Sequence, residues 1–249
     1  MKLTVPPLDM EYDKDFFLFL SGKKLQPDIR LLCQMAEVIY DKNFLGIASP
    51  EMKLYYMYRG VCRKEDAALF SENNIRYDVT IIPALLLGME PNKTAGHYHP
   101  KANGLEYSEI YEVVAGEAHY LLQKSEDAIS DFVLVKAKAG DIVIIPPGYG
   151  HVTVNPGPKT LVMANLMRMS VSSMYEPIKK KKGCAYFELQ DGRLIKNECY
   201  ESPPEPRILS ARKIKGINEN IYKAFIESPN FFEFLKKPEL TDDSSVRPQ

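Results

Sequence analysis

The chain is 249 residues long with 45% hydrophobic and 26% charged residues, an ordinary globular composition that excludes wholesale disorder. Lys and Arg number 32 against 33 Asp and Glu, a formal charge of -1, so no basic excess exists to neutralise a phosphate backbone and nucleic acid is not expected as a partner. The longest largely apolar run, residues 81–87, contains Pro83 and is too short to span a bilayer; no apolar stretch of signal-peptide type follows Met1–Pro6. The four cysteines, Cys33, Cys62, Cys184 and Cys199, are widely spaced and read as reduced thiols. A cytoplasmic protein with no membrane association is the expectation.

In chain order, the first zone, residues 1–50, carries a helical candidate at 29–40, with Leu31, Leu32, Met35, Ala36, Val38 and Ile39 at helical spacing after Pro27-Asp28. From residue 51 to 200 the pattern changes to short runs rich in Val, Ile, Leu and Tyr: 54–62, 77–87, 108–115, 117–123, 132–137, 141–145, 151–155 and 160–166. Ala115-Gly116-Glu117 reads as a tight turn and Gln190-Asp191-Gly192-Arg193 as a later hairpin turn. Many strands with short links predict an all-β, antiparallel sandwich or barrel. The third zone, 201–249, opens with a stiff proline-rich joint, Glu201-Ser202-Pro203-Pro204-Glu205-Pro206. Beyond it Ile221, Ala224, Phe225, Phe232 and Leu235 predict two short helices broken at Pro229, and 241–249 is expected to fray.

All four histidines, His97, His99, His119 and His151, fall within a 55-residue window. In Gly96-His97-Tyr98-His99, residues i and i+2 of a strand point to one face, so both imidazoles can reach one point. Two neutral imidazoles in an apolar interior need a partner, and a divalent metal satisfies both. Glu106, Glu109 and Glu112 each offer a nearby carboxylate, and Glu109 and Gly116 enclose six residues. The segment from Gly140 to Asn155 reads as strand, Pro-Gly turn and returning strand, the last opened by His151. His119 is read as solvent-facing or supporting, and Lys93 and Lys101 as surface lysines.

These two blocks resemble the paired motifs of the cupin superfamily, a small double-sheet barrel of jelly-roll type. The second block fits the pattern G-x5-P-x-G-x2-H-x3-N at every fixed position, Gly140, Pro146, Gly148, His151 and Asn155. The first block departs from the family: nine residues separate His99 from Glu109, a longer spacer than the general pattern has. Within the cupins, Thr94-Ala95-Gly96-His97-Tyr98-His99, Glu109-Ile110-Tyr111 and Pro146–Asn155 are similar to the archaeal-type glucose-6-phosphate isomerases, as is the upstream Ile29–Met35 segment. The resemblance covers roughly 27–200, flanked by N-terminal and C-terminal helical additions.

What the resemblance implies is a metal-dependent aldose–ketose isomerase interconverting glucose 6-phosphate and fructose 6-phosphate. Its metal ligands would be His97, His99, Glu109 and His151, holding one divalent ion per subunit, with iron the first choice and Mn, Ni or Zn also suited. Such a set leaves one or two coordination positions open, which suits catalysis. Glu109 would be the base and Tyr111 would hydrogen-bond the sugar; Tyr55, Thr80, Thr94 and the Gly96 N–H would bind the phosphate. A homodimer is expected from the resemblance and from barrel edges that need covering. The family's histidine near the end of the last barrel strand is missing, because Ser172-Ser173-Met174-Tyr175 stands there. Another cupin enzyme, such as a different phosphosugar isomerase or a dioxygenase, and a non-catalytic sugar-binding cupin are the competing readings.

Overall fold

Short strands with one or both faces apolar build two antiparallel sheets that face each other across a core. The computed structural model describes residues 1–102, 104–211, 213–241 and 243–247. One sheet has six strands in the spatial order Ile142–Ile145, Glu109–Ala115, Leu161–Arg168, Ile75–Ile82, Lys53–Tyr58 and Asp28–Leu31. The other has Tyr149–Val154, Glu117–Lys124, Asp131–Lys138 and Arg207–Ser210, the last pairing in parallel with its neighbour. Tyr55, Tyr111, Val113, Val143 and Met163 of the first sheet meet Leu121, Val133, Val135 and Val152 of the second in one buried cluster. This is the double-sheet barrel that the resemblance implies.

The turn at Gly116 forms with φ near +83°, and a Cβ there would stand 2.7 Å from the Thr160 carbonyl oxygen, so only glycine fits. The strands it joins lie in different sheets, which makes it a barrel corner. The hairpin expected around Asp191-Gly192 is present, pairing Tyr186–Glu188 with Leu194–Lys196.

The N-terminal region departs from its expected helical character. Lys2–Val5, Leu8–Tyr12, Leu18–Leu20 and Lys23–Lys24 form a four-stranded sheet. The cause is an alternation of period two within each strand: Leu3, Val5, Leu8, Met10 and Tyr12 are buried, while Thr4, Asp9 and Glu11 face out. The helix expected at 29–40 is also absent. Asp28–Leu31 instead pairs with Lys53–Tyr58, and two 3₁₀ turns follow, Leu32–Gln34 and Ala36–Val38. A three-residue apolar spacing, Leu32, Met35 and Val38, suits a 3₁₀ turn as well as an α-helix, and pairing at the sheet edge takes the first residues.

The outer face of the six-stranded sheet is covered as well. Tyr56, Tyr77, Val79, Ile110 and Val162 pack against Leu3, Val5 and Leu18 from the N-terminal sheet and against Phe225 and Phe232 from the C-terminal helices. Those helices are Ile221–Glu227, capped by Asn220, and the 3₁₀ segment Pro229–Leu235, as the break at Pro229 predicts. The tail does not fray where it is described: Ser244–Val246 forms a short turn, Val246 is buried, and the Ser245 hydroxyl accepts the Ile144 N–H of the outermost strand at 3.0 Å. Asp242, Pro248 and Gln249 of the expected frayed stretch lie outside the described residues. The C-terminal region therefore touches the edge strand Ile142–Ile145 and adds an edge strand of its own to the other sheet, Arg207–Ser210, held beside Asp131–Lys138 by Arg207 forked onto Asp131 at 3.0 and 2.6 Å; Asp28–Leu31 remains the far edge of the six-stranded sheet. The four cysteines are unbridged, and no helix among the described residues is long and apolar enough to cross a membrane.

Glu112 points into this outer layer, where its carboxylate accepts the Ile221 N–H at 2.9 Å. Burial pushes its carboxyl up from an ordinary 4.5 to about 7, partly offset by that N–H. Below the ordinary value both folded and unfolded chains are protonated. Between the two values the unfolded chain ionises while the folded chain resists, so stability falls as pH rises through that window. Urea denaturation near pH 5 and near pH 8 should show wild type losing about 2 kcal/mol more than Glu112→Gln over the interval. Equal losses in both proteins would rule out this role for Glu112.

Candidate metal centre

Gly96 starts the site. It adopts φ near +76°, and a Cβ there would lie 2.4 Å from a Val152 methyl, so glycine lets the 94–99 segment lie flat against the returning strand Tyr149–Val154. His97 and His151 sit opposite each other and exchange both backbone hydrogen bonds, at 3.1 and 3.0 Å. Tyr98 turns the other way and its hydroxyl accepts the Gln123 amide, while His99 returns to the face of His97. The i, i+2 expectation therefore holds in geometry. Ring centroids are 4.4 Å apart for His97 and His151, 5.2 Å for His97 and His99, and 5.5 Å for His99 and His151.

Glu109 enters from the six-stranded sheet, on the same strand face as Tyr111. Its Oε2 lies 3.2 Å from His99 Nε2 and 3.4 Å from His151 Nε2. The competing carboxylates are elsewhere: Glu106 pairs with Lys101 at 3.7 Å, and Glu112 faces the outer layer. One ligand atom from each of His97, His99, Glu109 and His151 falls within 4.8 Å of the others. Atoms bound to one ion at about 2.1 Å stand no more than about 4.2 Å apart, so shifts of a few tenths of an ångström would close the set.

The donor set fits a cation on its own chemistry. His99 Nε2 and Glu109 Oε2 are buried without a hydrogen-bond partner, a costly arrangement unless something else engages them. His99 Nδ1 donates to the Tyr107 carbonyl oxygen at 2.7 Å, which orients the ring and leaves Nε2 for the centre. On Glu109, the Asn165 amide donates to Oε1 at 2.6 Å and leaves Oε2 facing the imidazoles. The Tyr111 hydroxyl stands 3.2 Å from His151 Nε2.

Burial, helped by the neighbouring imidazoles, holds His97 well below the ordinary histidine range, and burial takes His151 down to about 4. His99 moves the opposite way: burial opposes its charge, but the adjacent Glu109 carboxylate and the Tyr107 carbonyl outweigh that and raise it. Glu109 is correspondingly lowered, since burial favours its neutral form and His99 overcomes it. His97 and His151 thus favour their neutral forms, while His99 and Glu109 favour charge on each other.

A cleft opens beside the cluster. The expected substrate residues Tyr55, Thr80, Thr94 and Gly96 line it together with His97, Glu109, Tyr111 and His151. Thr94 Oγ1 accepts the Thr153 N–H at 2.9 Å and Tyr55 Oη accepts the Ala95 N–H at 3.2 Å, which fixes both side chains. Sequence reasoning missed Arg59, Asp78 and Asn165 on the same wall. Arg59 follows Tyr55 and Met57 at period two, and Asp78 precedes Thr80 by two, so the strand alternation carried the signal. Asn165 is the one polar residue in the apolar run Leu161–Met167. Tyr175 also lines the cleft, its ring 5.6 Å from that of His97, while Arg30 stands over the Tyr175 ring at 5.0 Å. His119 is apart from the cluster and pairs with Glu188 at 2.6 Å. Lys93 is not a surface lysine: only 6% exposed, it pairs with Glu90 at 2.5 Å, which compensates its charge. Lys101 is exposed as expected.

A sequence model described as Glucose-6-phosphate isomerase (GPI) matches residues 34–205, well over half of the chain. The chain belongs to the archaeal-type cupin glucose-6-phosphate isomerase family. A protein named glucose-6-phosphate isomerase from Thermococcus onnurineus is 24% identical over 190 residues, covering 76% of this chain and 93% of that one. Its counterpart from Thermococcus gammatolerans is 29% identical over 125 residues, covering 50% and 62%. Among solved structures, a Lactobacillus farciminis oxalate decarboxylase is similar over 49% of this chain and 31% of that one, at 20% identity and a TM-score of 0.38. A Solanum melongena vicilin is similar over 48% and 30%, at 13% identity and a TM-score of 0.37.

For this member of the isomerase family, His99→Ala should take up Co(II) more than about 100-fold more weakly than wild type in calorimetric titration. His119→Ala should bind it as wild type does. Full stoichiometric uptake at wild-type affinity by His99→Ala would remove His99 from the ligand set.

Proposed function

We propose that the chain interconverts glucose 6-phosphate and fructose 6-phosphate in the cleft, with one divalent metal held by His97, His99, Glu109 and His151. The observation that carries this reading is the convergence of those four ligand atoms beside Tyr55, Thr80, Thr94 and Gly96 in a single cleft, within the stretch that matches the isomerase family.

The reaction moves a hydrogen between C1 and C2 of the sugar. A bound divalent metal supplies Lewis acidity toward the oxygens on those carbons. The remaining work falls to side chains. Glu109 is the proton carrier in a cis-enediol route, taking a proton from one carbon and returning it to the other through the carboxylate oxygen away from the imidazoles. A direct hydride shift is the rival route and would leave Glu109 only as a ligand. Tyr111, whose hydroxyl lies between the cluster and the cleft, donates to a sugar oxygen. Thr80, Thr94, the Gly96 N–H and Tyr55 bind the phosphate, and Arg30, stacked over Tyr175 and Tyr55, brings positive charge to that end. Tyr175 and the Arg59–Asp78 pair take over the sugar contacts at the place of the absent histidine near Ser173.

The reading carries iron as the metal, the cytoplasm as the compartment and a homodimer as the assembly. Four unbridged cysteines support the compartment. Family resemblance supports the dimer, as do the edge strands Asp28–Leu31 and Arg207–Ser210, which end their sheets.

A coupled assay following glucose 6-phosphate formed from fructose 6-phosphate tests the function. EDTA-stripped protein should be inactive, and refilling with Fe(II), Mn(II), Ni(II) or Zn(II) should restore turnover with at least one ion. No turnover with any of them would retire the isomerase reading. In the restored enzyme, Glu109→Gln should lower kcat by about 100-fold or more while sugar-phosphate affinity changes only a few-fold. Unchanged turnover in that variant would leave the hydride shift as the better account.

A further inference from the structure

The two oxygens of Glu109 have different surroundings. Oε2 faces His99 and His151 at 3.2 and 3.4 Å and receives no hydrogen bond. Oε1 receives the Asn165 amide at 2.6 Å. Asn165 is only 4% exposed and sits in the sheet opposite Tyr111 on one side and Asp78 on the other. Its neighbours along the strand face are Met163 and Met167, so an apolar residue would satisfy the packing at this position. What an apolar residue would lack is the N–H. The short bond to a carboxylate also fixes the carboxylate plane, because turning it would leave both a buried amide and a buried oxygen unpartnered.

We propose that Asn165 is a positioning residue for Glu109: by engaging one lone pair of Oε1 it limits Glu109 to one oxygen on the cation and leaves the second lone pair of Oε1 to carry the substrate proton. A carboxylate beside a divalent cation can attach through one oxygen or through both. Attachment through both would leave Glu109 no basic oxygen for the sugar. The choice between the two is made by what holds the second oxygen, and here that group is the Asn165 amide. The proposal rests on the metal-centred reading of the site.

Asn165→Ala and the volume-preserving Asn165→Leu, each stripped and loaded with Co(II), test it. Both should still bind one Co(II) per chain. Their visible absorption should differ in position and intensity from wild type, because the second Glu109 oxygen joins the ion. With fructose 6-phosphate, kcat should fall about 10- to 100-fold while KM stays within about twofold. A wild-type Co(II) spectrum in both variants would overturn the proposal, as would a kcat that falls only in step with lost Co(II) or lost folded protein. Should wild type bind Co(II) yet turn over no sugar phosphate, the isomerase reading fails, and the spectra of the variants still decide how Asn165 holds Glu109.

Discussion

The structure turns on one buried carboxylate. Removing an ionised carboxylate from water costs several kcal/mol even after the protein relaxes around it, and Glu109 is only 2% exposed. The surroundings are arranged as compensation. His99 faces it and holds a proton more tightly because of it, Asn165 donates to the oxygen His99 does not face, and His151 stands just beyond hydrogen-bonding contact. The compensation is incomplete, since Oε2 and His99 Nε2 remain without hydrogen-bond partners. An interior that gathers three imidazoles and a carboxylate around one point could hold a cation and is a poor core without one.

Holding that point steady requires the strands beneath it to be fixed from both sides. In Glu109–Ala115, Glu109 and Tyr111 face the cleft while Ile110 and Glu112 face the outer layer. Consecutive residues therefore anchor opposite faces, and the outer packing sets the height of the inner side chains. The N-terminal sheet and the C-terminal helices supply that packing with Leu3, Val5, Phe225 and Phe232. The C-terminal region also reaches Asp66, where the Tyr222 hydroxyl donates to a carboxylate that already holds Arg63. What looks from the sequence like an appendage is half of the support for the site.

Legibility followed the strength of local constraint. The Gly140–Asn155 block could be read because each marker residue does a separate job: Gly148 takes φ near +83°, His151 faces the centre, and Asn155 ties the strand to Ile82 and Lys159 through its amide. His97 and His99 could be read from alternation alone. The strand Asp28–Leu31 was missed because the three-residue apolar spacing that follows it, at Leu32, Met35 and Val38, serves either kind of turn, and only pairing with Lys53–Tyr58 decides the chain direction there. Alternation places Arg59 and Asp78 on the cleft face, but their roles, like that of Asn165, come from partners on different strands, and strand register lies outside what one sequence states.

The paired backbone hydrogen bonds between His97 and His151 carry a consequence for how an ion would come and go. Those two ligands are one rigid body before any ion arrives, so closing the chelate demands little further loss of chain freedom at their end of the site. Glu109 enters from the other sheet, while His99 follows His97 by two residues and is steadied by the Tyr107 carbonyl. Exchange of an ion should accordingly begin at Glu109, with the paired histidines the last to let go.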